Sequence, residues 1–262
     1  MIFSDSIGAG KLPITLAGKV NMPQIYDAML LALLAGIAIP IGGAIAAVER
    51  IHPYWLENEF RHAVISFGGG ALLAAIAMVL IPEGIKNLSI LSASLSFLSG
   101  AIFFLVIDFL ISLHGGAISQ IIAMLLDFIP EAMALGAIIA RDISKALLVA
   151  FLIALQNLPE GFNAYREVKA NRYCSGGKTI IIFTGFALLG PVSAVIGLKY
   201  LTGDEILLDR IMVFCAGGIL YLIFQDIAPQ AKIKNHWAPS LGAICGFLLG
   251  VIGYMIANPN NG

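Results

Sequence analysis

Two stretches of this 262-residue sequence place acidic side chains inside long apolar runs. Residues 125–136 read LLDFIPEAMALG, and residues 154–161 read ALQNLPEG. In both stretches a glutamate directly follows a proline, namely Glu131 and Glu160. A charged side chain at the centre of a membrane helix costs roughly 2.5–3.5 kcal/mol on insertion scales. Whether these two stretches cross a membrane therefore decides how they are interpreted.

The composition indicates an integral membrane protein. Hydrophobic residues make up 59% of the chain and charged residues 12%, whereas soluble domains carry about 25% charged residues. The net charge of −1 argues against a nucleic-acid partner, which requires a basic surface. The three cysteines, Cys174, Cys215 and Cys245, show no CxxC spacing, so they predict neither a disulfide framework nor a zinc finger.

The apolar runs predict an all-α fold with eight transmembrane helices in a single domain that covers residues 1–262. A membrane-spanning helix needs about 20 apolar residues. The predicted spans are 24–48, 63–82, 89–112, 117–140, 145–165, 178–201, 210–230 and 238–257. An even number of spans puts both termini on the same side. Four basic residues between spans 5 and 6 favour the cytoplasmic side for that loop and the outside for the termini.

Spans 1 and 2 resemble spans 6 and 7 at an offset of about 149 residues. The match consists of small residues and prolines at corresponding positions: Gly36, Pro40, Gly69, Gly70 and Pro82 pair with Gly185, Pro191, Gly217, Gly218 and Pro229. Five spans separate the two copies, so the copies run in opposite directions. This predicts an inverted repeat of spans 1–3 and 6–8 around a central pair, spans 4 and 5, as in secondary transporters.

The central pair carries a polar stripe on each helix. On span 4, Asp127 and Glu131 are four residues apart and share a face with Gln120 and Met124. On span 5 the stripe consists of Gln156 and Glu160, with Asn157 beside them and Asn163 further along.

Three carboxylates at this depth cost about 7–10 kcal/mol on the same scale, and the sequence places no Lys or Arg in mid-span to offset that cost. Pro130 and Pro159 each leave one backbone carbonyl without its helical donor, which is tolerated at membrane depth beside a polar cavity. A bound cation explains these features together. The alternative is a set of protonated carboxylates hydrogen-bonded between helices, or a proton relay.

At these residues the sequence resembles the ZIP (Zrt/Irt-like) family of divalent-metal transporters. Span 5 matches the family motif from Gln156 to Gly161, whereas span 4 matches only in part, because Asp127 and Phe128 stand where the family has histidine and asparagine. The stretches that end at Gly84 and Pro229 resemble spans 2 and 7. By this resemblance the metal site consists of Asp127, Glu131, Gln156, Asn157 and Glu160.

The differences from the family motif affect how many metal ions we expect and which ones. In the family, a second site draws on the span-4 asparagine and on a span-6 glutamate, where this chain has Phe128 and Gly190, so we expect one site. A set of oxygen donors without imidazole suits harder ions. We therefore expect manganese, iron or a broad divalent range rather than zinc alone. The metal is the transported substrate, and we expect no resident cofactor and no enzymatic activity.

Alternating access through spans 4 and 5 is the leading functional hypothesis. Asp108 and Asp226 are further candidates along the ion pathway, and Glu83 is interpreted as a solvated residue at a span end. A membrane metal sensor or non-transporting homologue remains as the alternative. An intramembrane hydrolase is disfavoured because HExxH is absent and the single Gly-Asp pair lies in a predicted loop. The resemblance also implies import toward the cytoplasm and allows a homodimer.

Overall fold

The computed structural model describes residues 20–48, 59–113, 117–172, 174–201, 204–231 and 237–258, and these segments contain long helices and no strand. The helices are α1 Met22–Val48, α2 Arg61–Gly84, α3 Ile90–Ser112, α4 Ala117–Ile139, α5 Ile143–Ala170, α6 Gly176–Tyr200, α7 Glu205–Ile227, which continues as Ala228–Gln230, and α8 Ala238–Ala257. Seven of the helices in the described part are long and apolar enough to span a membrane, and α4 contributes the apolar segment Phe128–Ile139. The prediction of an all-α, multi-pass membrane protein is confirmed.

The helices differ in how much of their apolar surface is buried. In α2, 67% of the most apolar window is buried, against 11% in both α3 and α8. Most apolar side chains of α2 are therefore buried inside the protein, whereas α3 and α8 expose apolar side chains such as Leu98 and Ile244. In a membrane these surfaces lie against lipid, where exposed apolar side chains carry no penalty.

The helix pairings follow an inverted symmetry. Helix α1 packs along α5, and α6 packs along α4; α2 packs along α8, and α7 packs along α3. Exchanging α1–α3 with α6–α8, and α4 with α5, converts each of these pairs into another of them. This is the set of contacts that the predicted inverted repeat requires.

Two π-helical segments lie at corresponding positions of the two repeats. Helix α2 contains Ile76–Leu80, and α7 contains Ile223–Ile227. A proline follows each segment by two residues, Pro82 in one repeat and Pro229 in the other. π-Helical segments of this kind frequently mark functional sites, and prolines disturb the hydrogen bonding of the preceding turn. The repeat therefore includes local irregularities as well as helix order.

Glycines permit the closest helix contacts. A side-chain carbon at Gly246 of α8 would overlap the carbonyl oxygen of Phe67 in α2, and one at Gly217 of α7 would overlap that of Phe97 in α3. Backbones approach this closely only where no side chain intervenes. The three glycines of α8, Gly242, Gly246 and Gly250, all pack on α2 of the same chain.

Candidate metal site

A tight turn makes α4 and α5 an antiparallel hairpin. The backbone N–H groups of Arg141 and Asp142 both donate to the carbonyl oxygen of Ile138, at 2.9 Å each. The Asp142 side chain caps α5 by accepting from the backbone N–H of Ser144 at 2.9 Å. The hairpin brings the polar stripes of the two central helices together.

Glu131 and Gln156 form a buried hydrogen bond at the centre of this hairpin. The Gln156 Nε2 donates to Glu131 Oε2 at 2.5 Å, and the two residues are 1% and 5% exposed, respectively. The remaining amide oxygen, Gln156 Oε1, is buried and accepts no hydrogen bond from the described residues. An unsatisfied buried acceptor costs about 1–3 kcal/mol. A cation bound beside Glu131 would satisfy this oxygen.

Asn157 is buried in the same way, but its donor lies against another helix. Its Nδ2 donates to the backbone carbonyl of Ala35 in α1 at 3.0 Å. Its Oδ1 is buried and has no hydrogen-bond donor among the described residues. Asn157 therefore links α1 to the central pair and, like Gln156, keeps an amide oxygen for a further ligand.

A cavity of about 30 Å³ lies on the Glu160 side of the hydrogen-bonded pair. We call it the polar cavity after its three polar side chains, although apolar side chains such as Ile65 and Ile227 also line it. It has room for about one water molecule. Its polar lining consists of Gln156, Glu160 and Asn163, and α2 contributes Gly68 and Gly69. At the start of α2, Arg61 Nε donates to Asn163 Oδ1 at 3.0 Å.

A second cavity, of about 20 Å³, lies on the other side of Glu131. Apart from Glu131 and the thiol of Cys215, its lining is apolar and includes Leu80 of α2 and Val149 of α5. The two cavities share no lining residue. Glu131 thus lies between a polar and an apolar compartment.

The structure brings together part of the predicted site. Gln156 hydrogen-bonds Glu131 and lines the same cavity as Glu160, and Met124 is buried on α4. The side chains of Asp127 and Gln120 lie outside the described residues. The side chains that are described form no group of three His, Cys, Asp or Glu able to hold a metal. A site built from the described residues must therefore include amide oxygens.

Phe128 fills the junction of α1, α4 and α6. It is 1% exposed, and its ring atom Cζ lies 2.7 Å and 2.6 Å from where side-chain carbons would start at Gly36 and Gly190. An aromatic ring fits there because both neighbours are glycine. The family has an asparagine and a glutamate at these two positions. Here Phe128 stands in place of the asparagine, and Gly190, in place of the glutamate, leaves room for the ring.

The pathway candidates Asp108 and Asp226 lie on α3 and α7, outside the central pair of helices. Tyr221 Oη donates to Asp108 Oδ2 at 3.0 Å and so joins α7 to α3. Asp226 lies exposed in the π-helical segment of α7. Neither aspartate lines the cavities beside Glu131.

The interpretation of Glu83 as a solvated residue is wrong. Glu83 is 7% exposed, and its carboxylate pairs with Lys145 Nζ at 2.5 Å and Lys86 Nζ at 2.7 Å. Two lysines stabilise the charge that lipid would otherwise oppose. The sequence contained the signal, because the end of α2 and the start of α5 lie on the same side of the membrane.

The sequence does not predict a second ion pair, which lies beside Glu83 at the same end of the helix bundle. Asp209 is fully buried, and its carboxylate accepts from Arg141 Nη1 at 2.8 Å and from Asn87 Nδ2 at 2.9 Å. We call Glu83, Lys145, Arg141 and Asp209 the charged cluster.

Comparison with known proteins supports the family resemblance that the sequence motifs indicate. No protein-family model matches the chain. A curated relative, the zinc transporter ZupT of Chlorobium phaeovibrioides, is 26% identical over 160 residues, which cover 58% of this chain and 56% of that protein. The resemblance to the ZIP family is confirmed. The chain is a divergent relative that matches little more than half the length of this ZIP-family transporter.

Proposed function

We propose that this chain is a secondary transporter of divalent metal cations, with its binding site between α4 and α5. Glu131 and Glu160 supply negative charge, and Gln156 and Asn157 supply amide oxygens. Asp127, one helical turn before Glu131, is the proposed third carboxylate. The ZIP-family resemblance extends this site to a transport function.

The Glu131–Gln156 pair is the observation that carries the proposal. A carboxylate that is 5% exposed in the middle of a membrane helix carries a cost that hydrogen bonding to an amide reduces only in part. Its amide partner keeps an unsatisfied oxygen in the same buried place. A divalent cation offsets both costs, because it neutralises the carboxylate and is coordinated by the amide.

Alternating access accounts for the arrangement of the helices around this site. The two repeats pack on the central pair through equivalent contacts, so a movement of one repeat has a counterpart in the other. Asn157 connects the site to α1 through the carbonyl of Ala35. Ligand binding at the amide oxygen is thereby coupled to a helix of the first repeat.

Manganese, iron and zinc are the cations that we propose for this site. Carboxylate and amide oxygens suit Mn²⁺, and the described site contains no imidazole, which would favour zinc. The relative is named a zinc transporter, which keeps zinc within the proposed range. Phe128 occupies the volume between Gly36 and Gly190, which supports one cation per chain.

Uptake into proteoliposomes tests the function. Mn²⁺, Zn²⁺, Fe²⁺, Cd²⁺ and Mg²⁺ are offered to the unmodified protein and to Glu131→Gln and Glu160→Gln. We expect saturable uptake, reduced at least about tenfold in each variant, because loss of one charge–charge interaction at low dielectric exceeds 1.4 kcal/mol.

Glu167→Gln is the matched control. It removes a carboxylate from the same helix two turns beyond Glu160 and should leave uptake within about twofold, as for a surface charge. Uptake that survives both site substitutions would exclude the proposed site. Metal binding without uptake of any ion would identify a sensor instead of a transporter.

A further inference from the structure

The charged cluster joins helices that the transport proposal requires to move. Glu83 lies at the end of α2, and Asp209 lies in the first turns of α7, so the cluster includes one helix from each repeat. Their partners are Arg141, in the α4–α5 turn, and Lys145, in the first turn of α5. Two ion pairs thus fasten both repeats to the central hairpin at one end of the bundle.

The ends of α2 and α7 are also in close backbone contact. A side-chain carbon at Gly84 would lie 3.0 Å from the carbonyl oxygen of Asp209 and 2.8 Å from Val213 Cγ2. Asn87, just beyond α2, adds two hydrogen bonds to the Asp209 carboxylate, from its backbone N–H at 3.2 Å and from Nδ2 at 2.9 Å. This end of the bundle is closed by both packing and charge.

The cluster lies next to the apolar cavity. Leu80, which lines that cavity, precedes Glu83 by three residues, and Val149 follows Lys145 by four. Cys215 lies six residues after Asp209 on α7 and lines the same cavity. From this end inward, the order is therefore ion pairs, apolar cavity, Glu131 with Gln156, and then the polar cavity.

We propose that the charged cluster is a gate, whose two ion pairs must separate before a cation can pass between Glu131 and this side of the membrane. The gate rests on the transport function proposed above. Buried ion pairs suit this task, because removing one partner leaves an uncompensated buried charge and strongly disfavours the closed arrangement. Opening also exposes Glu83 and Asp209, which would attract an incoming cation.

Cys215 provides a natural reporter of the gate. It is 2% exposed and lies behind the charged cluster, so a water-soluble methanethiosulfonate reagent reaches it only when this end opens. The parent protein for the experiment carries Cys174→Ser and Cys245→Ala and is held in lipid nanodiscs. The rate of Cys215 modification is measured in this parent and in five variants of it.

Two of the variants break one ion pair each, and a third reverses a pair. Lys145→Gln and Arg141→Gln each break one pair, and we expect Cys215 modification to accelerate about tenfold or more. The exchange Glu83→Lys with Lys145→Glu keeps the pair in reverse. It is made together with Lys86→Gln and Asp142→Asn, because Lys86 and Asp142 pair with the original side chains and would repel the reversed ones. It should return the rate to within about threefold of the parent. Lys199→Gln is the control, since it removes an exposed lysine near the end of α6.

A variant that leaves a buried charge unpaired can fail to fold, and the double substitution Glu83→Gln with Lys145→Gln avoids this. It removes both charges while keeping two amides able to hydrogen bond. We expect accelerated modification in this folded variant as well. An unchanged rate in it, or acceleration by Lys199→Gln, would overturn the gate.

Metal uptake by the same proteins separates the two proposals. Accelerated Cys215 modification without uptake of any metal retains the gate as a conformational element and rejects transport. Uptake by the unmodified protein, with Cys215 modification unaffected by the charge substitutions, retains transport and rejects the gate.

Discussion

At the residue scale, the hydrogen bond between Gln156 and Glu131 determines what the proposed site could bind. The amide donates one hydrogen to the carboxylate and leaves its own oxygen buried without a donor among the described residues. The bond therefore fixes the orientation of the amide, with Nε2 on the carboxylate and Oε1 available for a ligand. Lys and Arg could neutralise Glu131 but would leave no acceptor for a cation.

Replacement of Gln156 by leucine tests this arrangement. Leucine has a similar size but supplies neither the donor nor the oxygen, so affinity for Mn²⁺ or Zn²⁺ should fall at least about tenfold. A tenfold loss of affinity removes about 1.4 kcal/mol of ligand stabilisation at saturating metal, and the rise in Tm on adding metal should shrink accordingly. Gln225→Leu, at an exposed position of α7, should keep the full rise. An undiminished rise in Gln156→Leu would show that this amide does not bind the cation.

At the element scale, glycines decide which helices pair. Gly246 on α8 meets the backbone of Phe67 on α2, whereas Gly185 on α6 has open space where a side-chain carbon would start. Both glycines lie inside apolar helices, so the sequence alone does not distinguish a packing glycine from a lipid-facing one. Only the position of the neighbouring helix distinguishes the two kinds of glycine.

The same substitution at these two positions should therefore have opposite effects. Gly246→Ala forces α2 and α8 apart and should lower the free energy of unfolding by about 1–3 kcal/mol, as overpacking does elsewhere. Gly185→Ala should be neutral or stabilising by up to about 1 kcal/mol, because alanine favours helix over glycine. Thermal unfolding in detergent measures both, and equal effects would contradict the α2–α8 contact.

The helices could be predicted from the sequence because they depend on local composition. An apolar run of about 20 residues is sufficient to identify a span. The Glu131–Gln156 pair was foreseen as a shared polar region because both residues lie at mid-helix. The charged cluster was not, since Glu83, Lys145, Arg141 and Asp209 become neighbours only when α2, α5 and α7 converge. The contact between Asn157 and α1 depends on packing in the same way.

At the scale of the whole molecule, the orientation in the membrane decides which direction the proposed gate faces. Four basic residues lie around the α5–α6 turn: Arg166, Lys169, Arg172 and Lys178. Basic loops remain in the cytoplasm, so we expect this turn to lie inside. In that orientation the polar cavity with Glu160 faces the cytoplasm, and the charged cluster, at the opposite end of α5, faces outward.

Cys174, which lies in the α5–α6 turn, reports this orientation directly. In a protein with Cys215→Ala and Cys245→Ala, a membrane-impermeant maleimide should leave Cys174 unmodified in intact cells and should modify it after permeabilisation. A cysteine introduced at Ser89, between α2 and α3, should show the reverse pattern, because that loop lies on the side of the charged cluster. Modification of Cys174 in intact cells would show that the topology is the opposite of the one expected. The charged cluster would then control the cytoplasmic entrance, and the Glu160 cavity would face outward.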